Sequence, residues 1–262
     1  MMFTKENLND MELFVLDMDG TIYLGNNVFP EALRFYKEAK AKGKRVIFFT
    51  NNASMNPDIY VKRLTGMGFD VCREDVVTSG DVTAAYLNLH HKGEPVYLIG
   101  TPALHELFTE AGIPISEEAK IVVSSFDTTL VYSKLNIGVN LIRKGAIFYS
   151  THPDFVCPAP DGVLPDSGAI CALITACTGV LPKYFGKPEK ETADMISHLF
   201  GVPYEKTCVV GDRLYTDIAL GKRNGLLSVL VLTGESTLAD VNDDNAPDVI
   251  LNNIGEILDY LD

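Results

Sequence analysis

The sequence predicts an α/β fold in which parallel strands are covered by helices on both faces. Short apolar runs rich in β-branched residues alternate with stretches of mixed polarity and helical spacing. The clearest helices are 30–43, which begins at Pro30 and ends at Gly43, and 189–201. The runs with the composition of buried strands are 13–17, 45–50, 95–100, 120–125, 146–151, 207–212 and 227–234.

Composition excludes several classes of protein. The chain has 262 residues, 47% of them hydrophobic, which is enough for one large domain or two moderate ones. Its net charge of −13 argues against nucleic acid or a membrane surface as a partner, since both require clustered positive charge. No run approaches the roughly 18 apolar residues of a membrane span, and no signal peptide is recognisable. The odd cysteine count of five predicts reduced, mostly buried thiols in a cytoplasmic protein.

The middle of the chain, about 82–182, carries strands of its own and a stretch rich in proline and glycine at 153–168. This stretch suits neither a regular helix nor a central strand. We therefore expect it to be a long loop, and long loops in compact domains are often functional.

Polar clusters directly follow four of the apolar stretches. In open α/β sheets, ligands bind at the carboxyl ends of the strands, so we expect these clusters to meet at one edge. The strand before the third cluster, 181–185, contains Pro182 and is poor by itself. The clusters are DMDGT (17–21), TNN (50–52), GKP (186–188) and GDRLYTD (211–217).

The first cluster offers two carboxylates. Asp17 and Asp19 lie on the same side of an extended backbone, and Gly20 lets the chain turn after them. Two such groups can serve as a nucleophile and a general acid/base. Their mutual repulsion favours a cation between them, and hard oxygen ligands favour Mg²⁺. Taken alone, the pair is explained equally well by a surface turn with a helix cap.

The second and third clusters suit a phosphate group. Thr50, Asn51 and Asn52 supply a hydroxyl, amides and backbone N–H groups that form a neutral cradle for phosphoryl oxygens. A plain turn explains them as well. Lys187 would neutralise phosphate charge as a compact cation, although a lone lysine is usually an exposed surface residue.

The fourth cluster adds further carboxylates. Asp212 follows an apolar strand at once and is placed to complete a Mg²⁺ site. Asp217, five positions on, could support metal-bound waters or Lys187. Capping of the helix after residue 212 is the alternative interpretation. Each cluster is a modest signal, and their order along the chain is the strong one.

In that order the motifs LDMDGTIYLG, FFTNN, GKP and GDRLYTDI resemble those of the haloacid dehalogenase (HAD) superfamily of phosphohydrolases. The chain looks like subfamily IIA, the NagD and para-nitrophenylphosphatase type, and the similarity extends from Leu13 onward and includes VLTGES at 231–236. The resemblance implies a Rossmann-like core with a central parallel sheet, made of 1–81 and 183–262. It also implies an inserted α/β cap domain of the C2 type at 82–182.

The resemblance implies a role for each motif residue. Asp17 would be the nucleophile that forms an aspartyl-phosphate, and Asp19 would protonate the leaving group and then activate water. Thr50 and Asn51 would bind the phosphoryl group, and Lys187 would neutralise both that group and Asp17.

The resemblance also implies the metal ligands. Mg²⁺ would be held by Asp17, by the backbone carbonyl of Asp19 and by Asp212, with Asp217 in a supporting position. Waters would fill the remaining ligand positions.

The cap loop departs from the family pattern. Thr151-His152-Pro153-Asp154 stands where members commonly have Thr-Asn-x-Asp, and PDSGAI (165–170) stands where Pro-Gly-x-Gly is usual. We expect Asp154 to contact the substrate. His152 is either a substrate contact or a packed polar residue, and the second interpretation is favoured.

The expected function is hydrolysis of a phosphate monoester of a small metabolite, such as a sugar phosphate or a nucleotide. A phosphotransferase or mutase with the same core and a non-enzymatic phospho-acceptor module are the alternatives. The presence of both Asp19 and Lys187 argues against the phospho-acceptor module. The expected partner is the small phosphorylated metabolite, and the cap surface could pair two subunits as a homodimer.

Overall fold

The computed structural model of the protein describes residues 3–159 and 162–262, and these form two compact units. The core unit contains 3–50, 58–77 and 187–262, and the inserted unit contains 51–57, 78–159 and 162–186. The segment 51–57 thus groups with the inserted unit rather than with 1–81. As domain boundaries, the predicted positions 81/82 and 182/183 stay a prediction.

The strands are short, and those that correspond to the predicted apolar runs are largely buried. In chain order they are β1 (Leu13–Leu16), β2 (Tyr23–Leu24), β3 (Asn27–Val28), β4 (Arg45–Thr50), β5 (Val76–Thr78), β6 (Val96–Ile99), β7 (Ile121–Ser124), β8 (Ile147–Ser150), β9 (Val156–Ala159), β10 (Gly162–Pro165), β11 (Lys183–Tyr184), β12 (Thr207–Gly211), β13 (Leu227–Val231) and β14 (Val249–Leu251).

Helices alternate with these strands along the chain. They are α1 (Pro30–Ala41), α2 (Pro57–Gly66), α3 (Ser79–His90), α4 (Pro102–Glu110), α5 (Tyr132–Arg143), α6 (Ser167–Thr178), α7 (Lys190–Phe200) and α8 (Ala219–Asn224). A π-helical turn at Leu214–Ile218 leads directly into α8.

The core unit is built on a six-stranded sheet in the order β14-β13-β12-β1-β4-β5. The pairs β1–β12, β1–β4, β12–β13 and β13–β14 are all parallel, so the carboxyl ends of β1 and β12 lie side by side. Helix α1 packs its apolar face on this sheet, and Phe35 meets Phe14 edge-on with ring centroids 5.4 Å apart. Burial of both faces explains why these strands lack polar alternation.

The inserted unit contains its own four-stranded sheet, in the order β11-β8-β7-β6 and with parallel pairs throughout. Helices α5 and α6 cover it through a cluster that includes Ile142, Phe148 and Ile174. The predicted fold class, an α/β protein with a Rossmann-like parallel core sheet and an inserted α/β unit, is confirmed.

The expectation of a long loop at 153–168 is wrong for most of that stretch. Strands β9 and β10 form an antiparallel two-stranded sheet there, and α6 begins at Ser167. Both strands of such a sheet are edge strands, and an edge strand tolerates the prolines at 158 and 165 that a central strand excludes. Residues 160 and 161 of the predicted loop lie outside the described residues.

The third polar cluster does not follow a strand of the core sheet. Its strand, β11, pairs with β8 in the inserted unit, and Lys187 is the first residue after the chain returns to the core unit. The strand before GKP therefore belongs to a different sheet from those before the other three clusters, although Lys187 itself still meets Asp17 and Asp217. Proline 182 keeps β11 to two residues, so the segment can serve only as a short edge strand.

Within residues 3–159 and 162–262, no helix combines the length and the apolar character needed to cross a bilayer. All five cysteines are free thiols, but the prediction that they are mostly buried is wrong, because only Cys171 and Cys208 are buried.

Candidate active site

A buried lysine links two carboxylates at the carboxyl edge of the core sheet. Lys187 Nζ donates to Asp17 Oδ1 and lies 2.6 Å from Asp217 Oδ1. It also contacts the backbone carbonyl of Phe49 at 3.4 Å. The lysine side chain is 4% exposed and that of Asp217 is 0% exposed, so these charges interact with little screening by water. Lys187 is therefore the counter-charge of a buried acidic site rather than a surface lysine.

Strand geometry explains how Asp17 reaches this lysine. Asp17 directly follows β1, and its backbone N–H donates to the Val210 carbonyl on the neighbouring β12 at 2.9 Å. Asp212 follows β12 in the same way. The two aspartates therefore emerge from adjacent parallel strands at one edge, as expected for ligand sites in open α/β sheets.

Asp212 is held mainly by backbone N–H groups, with the Thr21 hydroxyl as a longer side-chain donor to its Oδ1 at 3.5 Å. Its Oδ2 accepts the Glu235 N–H at 2.7 Å, and its carbonyl accepts the Ser236 N–H at 3.1 Å. Two glycines make room for the carboxylate. A Cβ at Gly234 would lie 2.0 Å from Asp212 Oδ2, and one at Gly20 would lie 2.4 Å from it. Asp212 does not cap the helix that follows, because its carboxylate turns towards the loop after β13.

Three carboxylates converge in this part of the core unit. Oxygen atoms of Asp17, Asp212 and Asp217 all lie within 4.8 Å of one another. Burial, with repulsion from the neighbouring aspartates, outweighs Lys187 and raises the pKa of Asp17 to about 7. Burial and the Asp217 charge raise the pKa of Asp212 to about 6. Lys187 and the nearby Arg213, which also pairs with Glu235, do not balance three carboxylates, so the cluster suits a hard cation with oxygen ligands.

Asp217 lies closer to the centre of the site than a supporting residue would. The sequence predicted that it assists metal waters or Lys187, and its ion pair with Lys187 agrees with the second part. Its carboxylate is also a member of the three-acid cluster. The π-helical turn places it there: Gly211 packs so closely that a Cβ on it would lie 2.2 Å from Asp217 Cγ.

Asp19 lies apart from this carboxylate cluster. It is exposed, and its Oδ1 accepts the Gly25 N–H at 3.3 Å across the β2–β3 hairpin. The Arg63 guanidinium steadies the same hairpin, since it donates to the Gly25 carbonyl and lies 4.2 Å from the centre of the Tyr23 ring. An accessible carboxylate on a fixed hairpin can exchange protons with solvent or with a bound molecule.

In the second polar cluster, Asn52 forms a local turn, whereas Asn51 contacts a distant residue of the inserted unit. Thr50 is the half-buried last residue of β4. Asn52 Oδ1 accepts both the N–H and the hydroxyl of Ser54, at 2.9 and 2.7 Å, which is an Asx turn. The turn interpretation therefore applies to the side-chain oxygen of Asn52. Asn51 is 8% exposed, and its Nδ2 donates to Asp154 Oδ2 at 3.0 Å within the inserted unit.

The structure also shows contacts that sequence reasoning missed. These are the Glu235 N–H and Gly234 around Asp212, the Phe49 carbonyl at Lys187, and Thr233, whose hydroxyl donates to the Gly20 carbonyl at 2.6 Å. The only available signal was the segment 231–236, which resembles the family but contains no residue that would be singled out for chemistry.

Two family models match the chain. One, described as haloacid dehalogenase-like hydrolase, matches residues 14–114, and the other, described as HAD-hydrolase-like, matches residues 184–257. The chain is also 35% identical to an acid sugar phosphatase from Staphylococcus aureus strain USA300, over 92% of this chain and 93% of that protein. The family models and this relative identify the protein with the acidic site as a hydrolase. The protein belongs to the haloacid dehalogenase-like hydrolase family.

Solved structures agree with this assignment. A 4-nitrophenylphosphatase from Thermotoga maritima superposes with a TM-score of 0.92 at 44% identity, over 98% of this chain and 99% of that chain. NagD from E. coli K-12 superposes with a TM-score of 0.87 at 28% identity, over 94% of this chain and 98% of that chain. The predicted family, its NagD and para-nitrophenylphosphatase type, and the prediction of a phosphatase-type hydrolase are confirmed.

Proposed function

We propose that this protein is a Mg²⁺-dependent phosphatase that hydrolyses a phosphate monoester of a small metabolite through an aspartyl-phosphate on Asp17. The observation that carries the proposal is the pairing of buried Lys187 with both Asp17 and Asp217, beside Asp212. A phosphoryl group brings negative charge to this edge, and such a site offers a nucleophile together with charges that neutralise the transferred group. Similarity to an acid sugar phosphatase and a 4-nitrophenylphosphatase supports the reaction class.

The three-acid cluster fits Mg²⁺ by its donor set. Asp17 and Asp212 supply carboxylate oxygens, the backbone carbonyl of Asp19 is the third expected ligand, and Asp217 supports the site through Lys187. The glycines around Asp212 leave its carboxylate little room to move. When bound, Mg²⁺ neutralises charge on the phosphoryl oxygens and orients them for displacement.

The chain's own residues supply the bond-making steps. A carboxylate oxygen of Asp17 attacks phosphorus, and the bond from phosphorus to the leaving oxygen breaks as Asp19 gives that oxygen a proton. Water then attacks the phosphorus of the aspartyl-phosphate, Asp19 accepts a proton from it, and the bond to Asp17 breaks. Thr50 and Asn51 bind the phosphoryl oxygens. Inorganic phosphate leaves, and both aspartates regain their starting protonation.

A sugar phosphate is the substrate class that we propose first, because the curated relative is an acid sugar phosphatase. Asp154, half-exposed and fixed by Asn51, would accept hydrogen bonds from hydroxyl groups of the leaving alcohol. A screen of phosphorylated sugars, nucleotides and para-nitrophenyl phosphate with Mg²⁺, read out as released phosphate, tests both the reaction and the class. No phosphate release from any of them would overturn the proposed function.

Product analysis separates hydrolysis from phosphoryl transfer to another alcohol. Hydrolysis releases one inorganic phosphate for each substrate consumed, even when a large excess of glycerol is present as an alternative acceptor. Appreciable glycerol phosphate would favour the phosphotransferase. Assembly as a homodimer through the inserted unit and a cytoplasmic location stay predictions.

Stabilisation by Mg²⁺ is expected to grow with pH. The pKa values of Asp17 and Asp212 are raised to about 7 and about 6. Both groups therefore favour the folded state while protonated, and that contribution is lost as pH rises through these values. Deprotonation also frees the ligands for the metal. We expect MgCl₂ to raise the Tm clearly at about pH 8 and little at about pH 5, with about 2.7 kcal/mol of stabilisation at roughly 100 times its Kd.

Thermal unfolding with MgCl₂, EDTA or NaCl of matched ionic strength measures this effect. Asp212→Asn should remove most of the magnesium-induced rise in Tm at the higher pH. An equal rise in NaCl, or a rise that does not depend on pH, would show that the cluster binds no Mg²⁺.

Gly234→Ala should damage the site without touching a charged residue. The new Cβ would lie 2.0 Å from Asp212 Oδ2, so the carboxylate must move away from its bond with the Glu235 N–H. We expect kcat/KM to fall by up to about 100-fold, the scale of an ångström-sized misplacement, and the Mg²⁺-induced rise in Tm to shrink.

Gly66→Ala is the matched control for this substitution. Gly66 ends α2, and a Cβ there meets nothing within 4 Å. Its kcat/KM and its response to Mg²⁺ should equal those of the wild type. Equal behaviour of the two variants would mean that the position of Asp212 is unimportant.

A further inference from the structure

A buried polar network in the inserted unit surrounds His152, which is fully buried. Its Nε2 lies 2.7 Å from Asp166 Oδ1, and its Nδ1 lies 2.9 Å from the Thr151 hydroxyl and 3.4 Å from the Ser79 hydroxyl. Both ring nitrogens of His152 therefore have hydrogen-bond partners. Buried polar groups that are satisfied on all sides hold a single orientation, because every alternative leaves one of them without a partner.

The partners of His152 are themselves fixed. Asp166 precedes α6 and accepts the Ser167 N–H, so the imidazole is tied to the start of a helix. The Thr151 hydroxyl donates to Ser125 at 2.9 Å, at the end of the neighbouring β7. His152, Asp154 and Asp166 have ligand atoms close enough for a metal. The direct bond between His152 and Asp166 already satisfies both groups, so we interpret the arrangement as structural. We call His152 and its partners Asp166, Thr151 and Ser79 the clamp.

Through Ser79, the clamp contacts Asn51 of the TNN motif, which we propose binds phosphate. The Ser79 hydroxyl donates to the backbone carbonyl of Asn51, and the Asn51 side chain donates to Asp154 Oδ2 at 3.0 Å. Ser79 is 0% exposed, so its hydroxyl is shielded from bulk water. The orientation of Asn51 is thus set from two sides, by Ser79 at its carbonyl and by Asp154 at its amide.

Two glycines, Gly186 and Gly168, pack tightly against the segment that contains His152. Gly186 packs so tightly that a Cβ would lie 2.7 Å from His152 Cβ and 2.8 Å from Asn51 Oδ1. Gly168 lies against the loop as well, since a Cβ there would be 2.3 Å from the Pro153 carbonyl. Its N–H donates to the Asp154 carbonyl at 2.8 Å.

We propose that His152, clamped between Asp166 and the hydroxyls of Ser79 and Thr151, is a positioning residue that sets the orientation of Asn51 and Asp154. It acts through these neighbours and does not touch the substrate. This proposal rests on the proposed phosphatase function, in which Asn51 binds the phosphoryl group and Asp154 the leaving alcohol. Loss of the clamp should leave the nucleophile intact and loosen the hold on both ends of the substrate.

The test compares His152→Ala and Asp166→Asn with a matched control, Asp127→Asn. Asp127 is also a buried aspartate of the inserted unit, with a side chain that is 0% exposed and lies 2.6 Å from Lys134 Nζ. All three variants lose part of a buried polar pair, so all three should have a lower Tm. Only the two clamp variants should lose activity.

For the clamp variants we expect kcat/KM for para-nitrophenyl phosphate to fall by about 10- to 100-fold, mainly through KM, and inorganic phosphate to inhibit correspondingly less. Asp127→Asn should keep both values within about twofold of the wild type. His152→Gln retains a donor for Asp166 and should recover part of the loss. Ser79→Ala is a smaller change and should also weaken inhibition by phosphate. It tests the proposal even if His152→Ala does not fold.

The outcomes separate this proposal from the one it rests on. A wild-type protein without phosphatase activity would overturn the proposed function. An active wild type whose clamp variants lose only Tm, with kcat/KM and phosphate inhibition unchanged as in Asp127→Asn, would overturn the positioning role of His152 alone.

Discussion

Asp17→Asn is expected to reduce phosphate release by at least about 10⁴-fold, the scale on which enzymes lose activity when their nucleophile is removed. The amide is a poor nucleophile towards phosphorus and carries no charge to pair with Lys187. The fold should persist, because Lys187 keeps Asp217 as a partner at 2.6 Å. The Tm of the metal-free variant should equal or exceed that of the wild type above about pH 7, where the wild type contains the charged Asp17 in a crowded acidic site.

Phosphate release and thermal unfolding measured on the same preparation check this expectation. Asp259→Asn, on the exposed surface of the core unit, is the control and should behave as the wild type. Asp19→Ala should slow breakdown of the intermediate, so that mass spectrometry finds a phosphoryl group on Asp17. Near wild-type turnover by Asp17→Asn would exclude the nucleophile assignment.

Lys187→Met is expected to have the second large effect, on both stability and activity. Methionine approaches lysine in length but removes the ammonium group that pairs with Asp17 and Asp217. Two buried carboxylates then lose their shared cation, which should lower the free energy of unfolding by about 3–5 kcal/mol in the absence of metal. The kcat should fall by at least about 10²-fold, since one charge aimed at the phosphoryl group is gone.

Saturating Mg²⁺ should restore part of the stability of Lys187→Met and little of its activity. Denaturant unfolding with and without MgCl₂, together with steady-state kinetics, distinguishes the two effects. Lys190→Met is the matched control, because that lysine is 66% exposed and pairs with Asp194 on the surface of α7. If Lys187→Met and Lys190→Met behave alike, the buried ion pairs contribute nothing to the site.

The part of the site that the sequence predicts best is the pair of strand ends at Asp17 and Asp212. Each aspartate follows a continuous apolar run, and a continuous apolar run is the local signature of a parallel strand buried on both faces. Both runs become neighbours in the core sheet, β1 beside β12. Local pattern was sufficient here because the general rule about strand ends supplies the missing tertiary information.

The features that escaped prediction depend on contacts between distant segments. The turn geometry that brings Asp217 to Lys187, and the path that brings the Glu235 N–H to Asp212, leave no periodic signal in the sequence. The sheet to which β11 belongs is likewise decided by its pairing with β8 and not by its own two residues. The strand pair β9–β10 was missed because its prolines signal a loop, and they are acceptable because, among the described residues, these two strands pair only with each other.

The way in which Asp212 is held has a consequence for how this enzyme can change over evolutionary time. Its shorter hydrogen bonds come from the main-chain N–H groups of Glu235 and Ser236, which no substitution other than proline removes, and its glycine neighbours tolerate almost no replacement. The clamp around His152 consists of side chains, each of which one codon change can replace. Variation should therefore accumulate around the residues that orient the substrate, so that descendants of this chain acquire new substrates while they keep the same acidic centre.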